Sequence, residues 1–260
     1  MNDPMNGRIQ FLITCEHGGN RIPAAYLGCF AGQEDLLQSH RGHDPGALAM
    51  ARELAQRLDA PLHYSTVSRL LVDLNRSPRH PRLHSETIRA QREEVRQDIV
   101  ERHYLPYRGR VEAEIANVIE SSGRVIHISS HSFTPVLDGV VRTADIGLLY
   151  DPARAGEAAL SRAWLEALKA QAPALRLRRN YPYRGTSDGF TAWLRRRFAA
   201  DQYIGVELEI NQAMVFAGGS AWRRLRGAVC ASLLDARAGL ADRLTGSRSS
   251  GSDQRPRTRR

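Results

Sequence analysis

The strongest constraint on this chain is an alternation. Short apolar runs of four to eight residues are separated by longer stretches in which apolar residues recur at helical spacing. Runs of that length fit buried strands, and the stretches between them fit helices laid over a sheet, so the chain reads as a layered α/β protein. The predicted strands are residues 9–15, 62–65, 125–129, 146–150, 175–178 and 203–210. The predicted helices are residues 45–58, 85–116 with a break near Pro106, 153–171, 190–199 and 221–244. The first of these opens on Asp44-Pro45, a capping residue followed by proline at the first helical position. A mostly parallel or mixed sheet with helices on both faces is the expected architecture.

With 260 residues, the chain can bury about 70–75% of its unfolded surface, so its core needs neither disulfides nor a structural metal. A single domain over residues 1–244 is expected. The net charge of +9, from 37 basic and 28 acidic residues, raises the question of a nucleic-acid partner. Its distribution argues against one. Residues 245–260 hold five arginines, one aspartate and few apolar groups, a composition that predicts a disordered tail carrying nearly half of the excess. Neither zinc-finger spacing nor an RNA-binding aromatic motif is visible. Cys15, Cys29 and Cys230 are odd in number and widely spaced, which predicts free thiols in a reducing compartment. The first ten residues carry no cationic lead into an apolar run, and the longest apolar runs are far too short to span a bilayer. A soluble cytoplasmic protein, monomer or homodimer, without nucleic-acid or membrane partners, is therefore expected.

In layered α/β folds, ligands collect at the carboxyl ends of the strands. Two predicted strands exit into polar, glycine- or serine-rich segments, Glu16-His17-Gly18-Gly19-Asn20-Arg21 and Ser130-His131-Ser132-Phe133-Thr134-Pro135. One histidine in such a place is as readily a hydrogen-bonded core residue as a ligand. The same pattern at two exits favours a metal pair, His17 and His131. A hydrolytic zinc site takes three protein ligands and leaves a position for water, so a third is needed. Asp44, His43, Asn20 and Glu16 are the candidates. Asp44 is favoured because a carboxylate binds zinc better than a carboxamide, although an aspartate there is equally what a plain helix cap would be.

Two further segments concentrate polar groups. Ser68-Arg69-Leu70-Leu71-Val72-Asp73-Leu74-Asn75-Arg76-Ser77 reads as a strand-like run ending in Asn75 and Arg76, donors suited to a carboxylate, since arginine's planar fork can hold one with two parallel bonds. The alternative is that Arg69 or Arg76 simply pairs with Asp73. In residues 206–212, Glu207 and Glu209 share one face of a strand, which is costly inside a protein unless they meet a cation, a metal or a hydrogen-bond network. A surface strand is the bland alternative.

The ordered set CEHGGNRIP, HRGHDPGA, SRLLVDLNRS, HISSHSFTP and VELEINQ, with NYPYRG at residues 180–185, resembles the N-formylglutamate amidohydrolase family, from about Ile9 to Phe216. More distantly it is similar to the zinc carboxypeptidase, succinylglutamate desuccinylase and aspartoacylase group. The resemblance implies a phosphorylase/hydrolase-like three-layer α/β/α sandwich around a mostly parallel mixed sheet. It implies Zn2+ as cofactor, with His17 and His131 as zinc histidines. Asn20 stands where the carboxypeptidase-like pattern has a glutamate ligand, so the third ligand stays open among Asp44, Asn20 and Glu16. Asn75 and Arg76 match the pair that orients the substrate carboxylate and polarised carbonyl in the desuccinylase relatives. Glu209 matches the general base, with Glu207 as the alternative register.

The implied reaction is cleavage of the amide bond of a small acidic N-acyl amino acid, such as N-formylglutamate, by metal-activated water, with histidine degradation as its metabolic setting. Arg76, helped by Arg142 or Arg184, and Ser132 are the expected substrate contacts. A zinc peptidase or amidase acting on peptides or cell-wall fragments is one alternative. A non-catalytic relative that binds acidic ligands is another.

Overall fold

A computed structural model describes residues 9–246. Its eight strands are β1 (Ile9–Cys15), β2 (Leu62–Tyr64), β3 (Arg124–Phe133), β4 (Val136–Leu137), β5 (Val140–Val141), β6 (Ile146–Leu149), β7 (Leu177–Arg179) and β8 (Tyr203–Asn211). The nine α-helices among the described residues are α1 (Glu34–Gln38), α2 (Ala47–Leu58), α3 (Glu86–Arg89), α4 (Glu93–Ile99), α5 (Leu105–Ser122), α6 (Ala155–Gln171), α7 (Phe190–Arg195), α8 (Gln212–Phe216) and α9 (Gly219–Gly246).

Six strands form one mixed sheet in the order β2-β1-β3-β8-β6-β7. Only the β6/β8 pairing is antiparallel. All six predicted strands are present, and β3 and β8 pair over nine residues at the centre. The fold is the expected three-layer α/β/α sandwich. β4 and β5 make a separate hairpin around Asp138 and Gly139, both at positive φ, the Asp-Gly signature of a type I′ turn.

The period-2 alternation of the strands divides the core in two. Phe11, Ile13, Ile126, Ile128, Val206, Leu208 and Ile210 pack under α2, α6 and α9. Leu12, Val125 and Tyr203 face the opposite layer of α4, α5 and α7. Trp164 on α6 is fully buried in the first layer, its indole donating to the Val229 carbonyl (3.2 Å) and to Ser232 Oγ (3.1 Å) on α9. All three cysteines are free. No helix among the described residues is long and apolar enough to cross a membrane.

Three expectations require correction. The helical stretch at 85–116 breaks between α3 and α4 and not near Pro106. A π-helical turn, Val100–Tyr104, joins α4 to α5, and its wider winding accommodates the proline ring and missing donor at the start of α5. Residues 68–77 form successive turns, with Asp73 N–H donating to the Leu83 carbonyl (2.8 Å) across a loop and not along a strand. Asp44 does not cap α2. The capping position is Gly46, at a φ of 79°, where a Cβ would stand 2.6 Å from a Val215 methyl, and the Asp44 side chain is turned elsewhere. The tail expected at residues 245–260 falls, from 247 on, outside the described residues; Thr245 and Gly246 end α9.

Candidate active site

His17 sits two residues beyond β1. His131 lies inside β3, which runs four residues past the predicted end to Phe133. Because β1 and β3 are neighbouring parallel strands with Thr14 opposite Ser129, the two imidazoles meet, with ring centroids 5.0 Å apart. Asp44 arrives from the turn before α2, and its N–H donates to the His17 carbonyl (3.0 Å). Asp44 Oδ2 lies 3.3 Å from His17 Nδ1 and 2.9 Å from His131 Nδ1. His17, Asp44 and His131 are all buried and form the group that could hold a metal ion. Donor atoms about 2.0–2.1 Å from a tetrahedral zinc stand ~3.3–3.4 Å from one another, close to these separations.

The far nitrogens reinforce that fit. His17 Nε2 is 2.7 Å from Asp73 Oδ1, and His131 Nε2 is 2.8 Å from Ser129 Oγ and 3.2 Å from Glu16 Oε2. Ser129 spends its one hydroxyl proton on Glu16 (2.7 Å), so it accepts from His131 Nε2–H and leaves Nδ1 free to bind. Tyr107 OH donates to the other Glu16 oxygen (3.1 Å). Each histidine thus turns Nδ1 to the centre and Nε2 to a carboxylate, the arrangement that orients metal-binding imidazoles. Arg69 bridges the two aspartates, reaching Asp44 Oδ1 (3.3 Å) and Asp73 Oδ2 (2.8 Å).

The electrostatics are those of a compact charge cluster. Burial would raise the Glu16, Asp44 and Asp73 carboxyls, but neighbouring histidines, and Arg69 for both aspartates, hold all three far below the usual carboxylate range. Burial would lower His131, but hydrogen bonds to Asp44 and Glu16 raise it well above its ordinary value. Glu209 differs. Burial, with added repulsion from Asp44 and Glu207, pushes its carboxyl up to about 8, and its buried Oε2 has no hydrogen-bond partner among the described residues. Glu209 lies opposite His131 in the β3/β8 register, so this atom stands where a water, a cation or a substrate group at the centre would satisfy it.

Glu207, one strand repeat away, is engaged by the Thr191 hydroxyl of α7 in a very short hydrogen bond. Both glutamates are buried, which excludes the surface-strand reading. Asn75 Oδ1 accepts from Phe190 N–H (2.6 Å), leaving its amide nitrogen to donate. A Cβ on Gly189 would approach Glu207 Oε1 at 3.2 Å and Asn75 Oδ1 at 3.4 Å, so these groups adjoin. Arg76 donates to the Asp188 carbonyl (3.1 Å), with its Nε 3.8 Å from Asp73.

The remaining candidates are not in the metal-binding group, although Ser132 N–H reaches Asp44 Oδ2 at 3.5 Å and Glu16 contacts His131 at 3.2 Å. Ser132 Oγ donates to the Pro45 carbonyl (2.7 Å) and accepts from Gln212, so it braces the Asp44 turn. Arg142 lies beside the Tyr183 ring (5.2 Å) and donates to its hydroxyl (3.2 Å). Arg184 is exposed. Asn20 donates to the Leu37 carbonyl (3.2 Å) and Glu16 lies behind His131, so neither joins the metal-binding group; nor does His43. The Arg69–Asp73 pair that the sequence offers is present, but the bonds by which Arg69 reaches Asp44 and Asp73 reaches His17, and the parts of Ser129 and Tyr107, were not read from it. A buried acid two residues before Asn75, in an otherwise apolar run, was the one available signal.

Solved structures share this architecture. Gene product Atu2144 from Agrobacterium tumefaciens superposes with a TM-score of 0.77 at 31% identity, over 89% of this chain and 91% of that one. The N-formylglutamate amidohydrolase from Ralstonia eutropha JMP134 superposes with a TM-score of 0.65 at 17% identity, over 91% and 97% of the two chains. No curated protein matches the sequence. Residues 9–216, which include every group of the site just described, match the N-formylglutamate amidohydrolase family, and the chain belongs to that family of hydrolases of non-peptide carbon–nitrogen bonds.

Proposed function

We propose that this protein is a zinc-dependent amidohydrolase that cleaves the amide bond of a small acidic N-acyl amino acid, N-formylglutamate or a close analogue. The observation that carries the reading is the convergence of His17, Asp44 and His131 beside Glu209, whose buried Oε2 has no partner among the described residues. A zinc ion held by those three residues would supply Lewis acidity, polarising a carbonyl and bringing the pKa of water toward about 7.

The chain's own groups supply the rest. Glu209, which the positive charge of a bound zinc ion would favour in its ionised form, takes a proton from water as the water's oxygen bonds to the acyl carbon, and hands it to the nitrogen as the carbon–nitrogen bond breaks, leaving the free acid and the amine. The Asn75 amide nitrogen donates to the oxyanion that develops on the carbonyl. Arg76, half-buried at the edge of the cluster, holds a substrate carboxylate and places the amide over the centre. Asp73 and Glu16 keep the two imidazoles oriented. Glu209 is better suited than Glu207 to act as base, because Thr191 already engages the Glu207 carboxylate.

The test is release of formate from N-formyl-L-glutamate by purified protein after chelation and after zinc is restored. Turnover is expected to vanish with the chelator and to return with zinc. Metal-free protein that works as well as the zinc-loaded form, with His131→Ala matching wild type, would overturn the reading.

A further inference from the structure

Arg108, on α5, is 3% exposed, yet none of the ion pairs among the described residues includes it. An unpaired buried guanidinium is costly. Aromatic faces offset part of that cost, with the cation 4.1 Å from the Phe190 ring centroid, 5.0 Å from Trp193 and 5.1 Å from Tyr104. Its directed bonds are more telling. Nη1 donates to the Leu74 carbonyl (3.1 Å) and to the Arg76 carbonyl (2.8 Å), one on each side of Asn75, while Nη2 has no partner among the described residues. Tyr104 OH donates to the same Arg76 carbonyl (2.8 Å). Residues 74–76 belong to no helix or strand, so these carbonyl bonds, together with Arg76 N–H to the Asp73 carbonyl (3.0 Å) and Asn75 N–H to Asp73 Oδ1 (3.0 Å), hold the turn from which Arg76 leaves the backbone. The Asn75 side chain is held separately, by Phe190 N–H.

We propose that Arg108 is a positioning residue for substrate binding: its buried guanidinium, seconded by Tyr104, clamps the turn that carries Arg76 and so aims Arg76 at the substrate carboxylate. The inference rests on the reading of Arg76 as the carboxylate anchor. A methionine would fill much of the same volume but could not grip two carbonyls, and a lysine could grip them only in part.

The experiment compares kcat/KM of the zinc-supplemented full chain for N-formyl-L-glutamate and for its uncharged diamide, in wild type, Arg108→Met, Arg108→Lys, Tyr104→Phe and Arg76→Met. Arg108→Met is expected to lower kcat/KM for the acid at least tenfold, chiefly through KM, while the diamide changes less than threefold. Arg108→Lys should recover part of the loss, and Tyr104→Phe should shift in the same direction by a smaller factor. Amide hydrogen exchange at residues 74–77 should quicken in Arg108→Met, a readout independent of metal. If Arg76→Met abolishes the preference for the acid while Arg108→Met and Tyr104→Phe keep it, Arg108 is only a core residue and the proposal falls. If Arg108→Met does not fold, an unchanged preference in both Arg108→Lys and Tyr104→Phe overturns it equally. If Arg76→Met itself leaves the preference intact, the carboxylate reading of Arg76 fails first and takes this inference with it.

Discussion

The strands β1, β3 and β8 of the central sheet present two faces that do different work. On the face under α2, α6 and α9, β8 presents Ile204, Val206, Leu208 and Ile210, and β3 presents Ile126 and Ile128. On the other face, β8 presents Tyr203, Glu207 and Glu209, β3 presents His127, Ser129 and His131, and β1 presents Thr14, with Glu16 just beyond. A one-residue step along each strand therefore separates packing from chemistry. The polar face stays buried because its groups bond in rows. Thr14 and Tyr203 flank His127, and Tyr107, Glu16, Ser129 and His131 lead to Asp44. Glu209 Oε2 is left without a partner in this pattern, as befits a group whose partner arrives with the reaction.

The sharpest way to break the comparison is Glu209→Gln. The amide keeps the shape and cannot accept the water's proton, so kcat should fall by about 10²–10⁴ with little change in Tm. The opposite face should answer the other way. Ile128→Ala leaves a cavity beneath α2 and should lower stability by about 2–5 kcal/mol in urea unfolding, with activity per folded molecule preserved. A variant of either face that moved both quantities equally would dissolve the distinction.

His127 tests the polar face as structure rather than chemistry. Burial pulls its pKa down to about 4, so the folded protein holds it neutral where an unfolded chain, near 6.5, takes up a proton. As pH falls the unfolded state therefore binds the proton first. Stability from this residue is complete above about pH 6.5, declines between 6.5 and 4, and levels off below that at a total loss of about 3 kcal/mol. His127→Gln should remove that slope from the unfolding profile within the same window. A His127→Gln profile with the same slope as wild type between pH 6.5 and 4 would mean that His127 titrates normally.

Much of this was legible in the sequence, for physical reasons. Short apolar runs reveal strands here because helices bury the sheet on both faces, and all six strands were visible as such runs. Two histidines at neighbouring strand exits, with small residues around them, point to one centre because parallel strands bring their carboxyl ends together. What stayed hidden depends on registers and crossings that local pattern does not contain. Asp44 before Pro45 looks like a helix cap, and only Gly46 at positive φ, backed against Val215, frees its carboxylate for the histidines. Tyr107 reaches Glu16 across 91 residues of sequence, and no spacing rule announces such a contact. Two of the three rings around Arg108, Phe190 and Trp193, are more than 80 residues away along the chain, so no local pattern sets it apart.

Asp73 makes the finest test of the polar face. It follows three apolar residues and sits beside two arginines, so the sequence alone offers an ion pair, and that pair exists: Arg69 lies 2.8 Å away. The same carboxylate also holds His17 Nε2 at 2.7 Å, which makes it the support of a metal-binding imidazole. Asp73→Asn keeps the size and one acceptor oxygen but removes the negative charge that strengthens His17 as a donor. Zinc affinity should weaken by about 10–100-fold, read by competition with a chromogenic chelator, and activity should return at excess zinc. Arg69→Met provides the contrast, since it removes the ion pair and leaves both carboxylates on the histidines. If the two variants weaken zinc equally, Asp73 acts through Arg69; if only Asp73→Asn does, the hydrogen bond to His17 carries the effect.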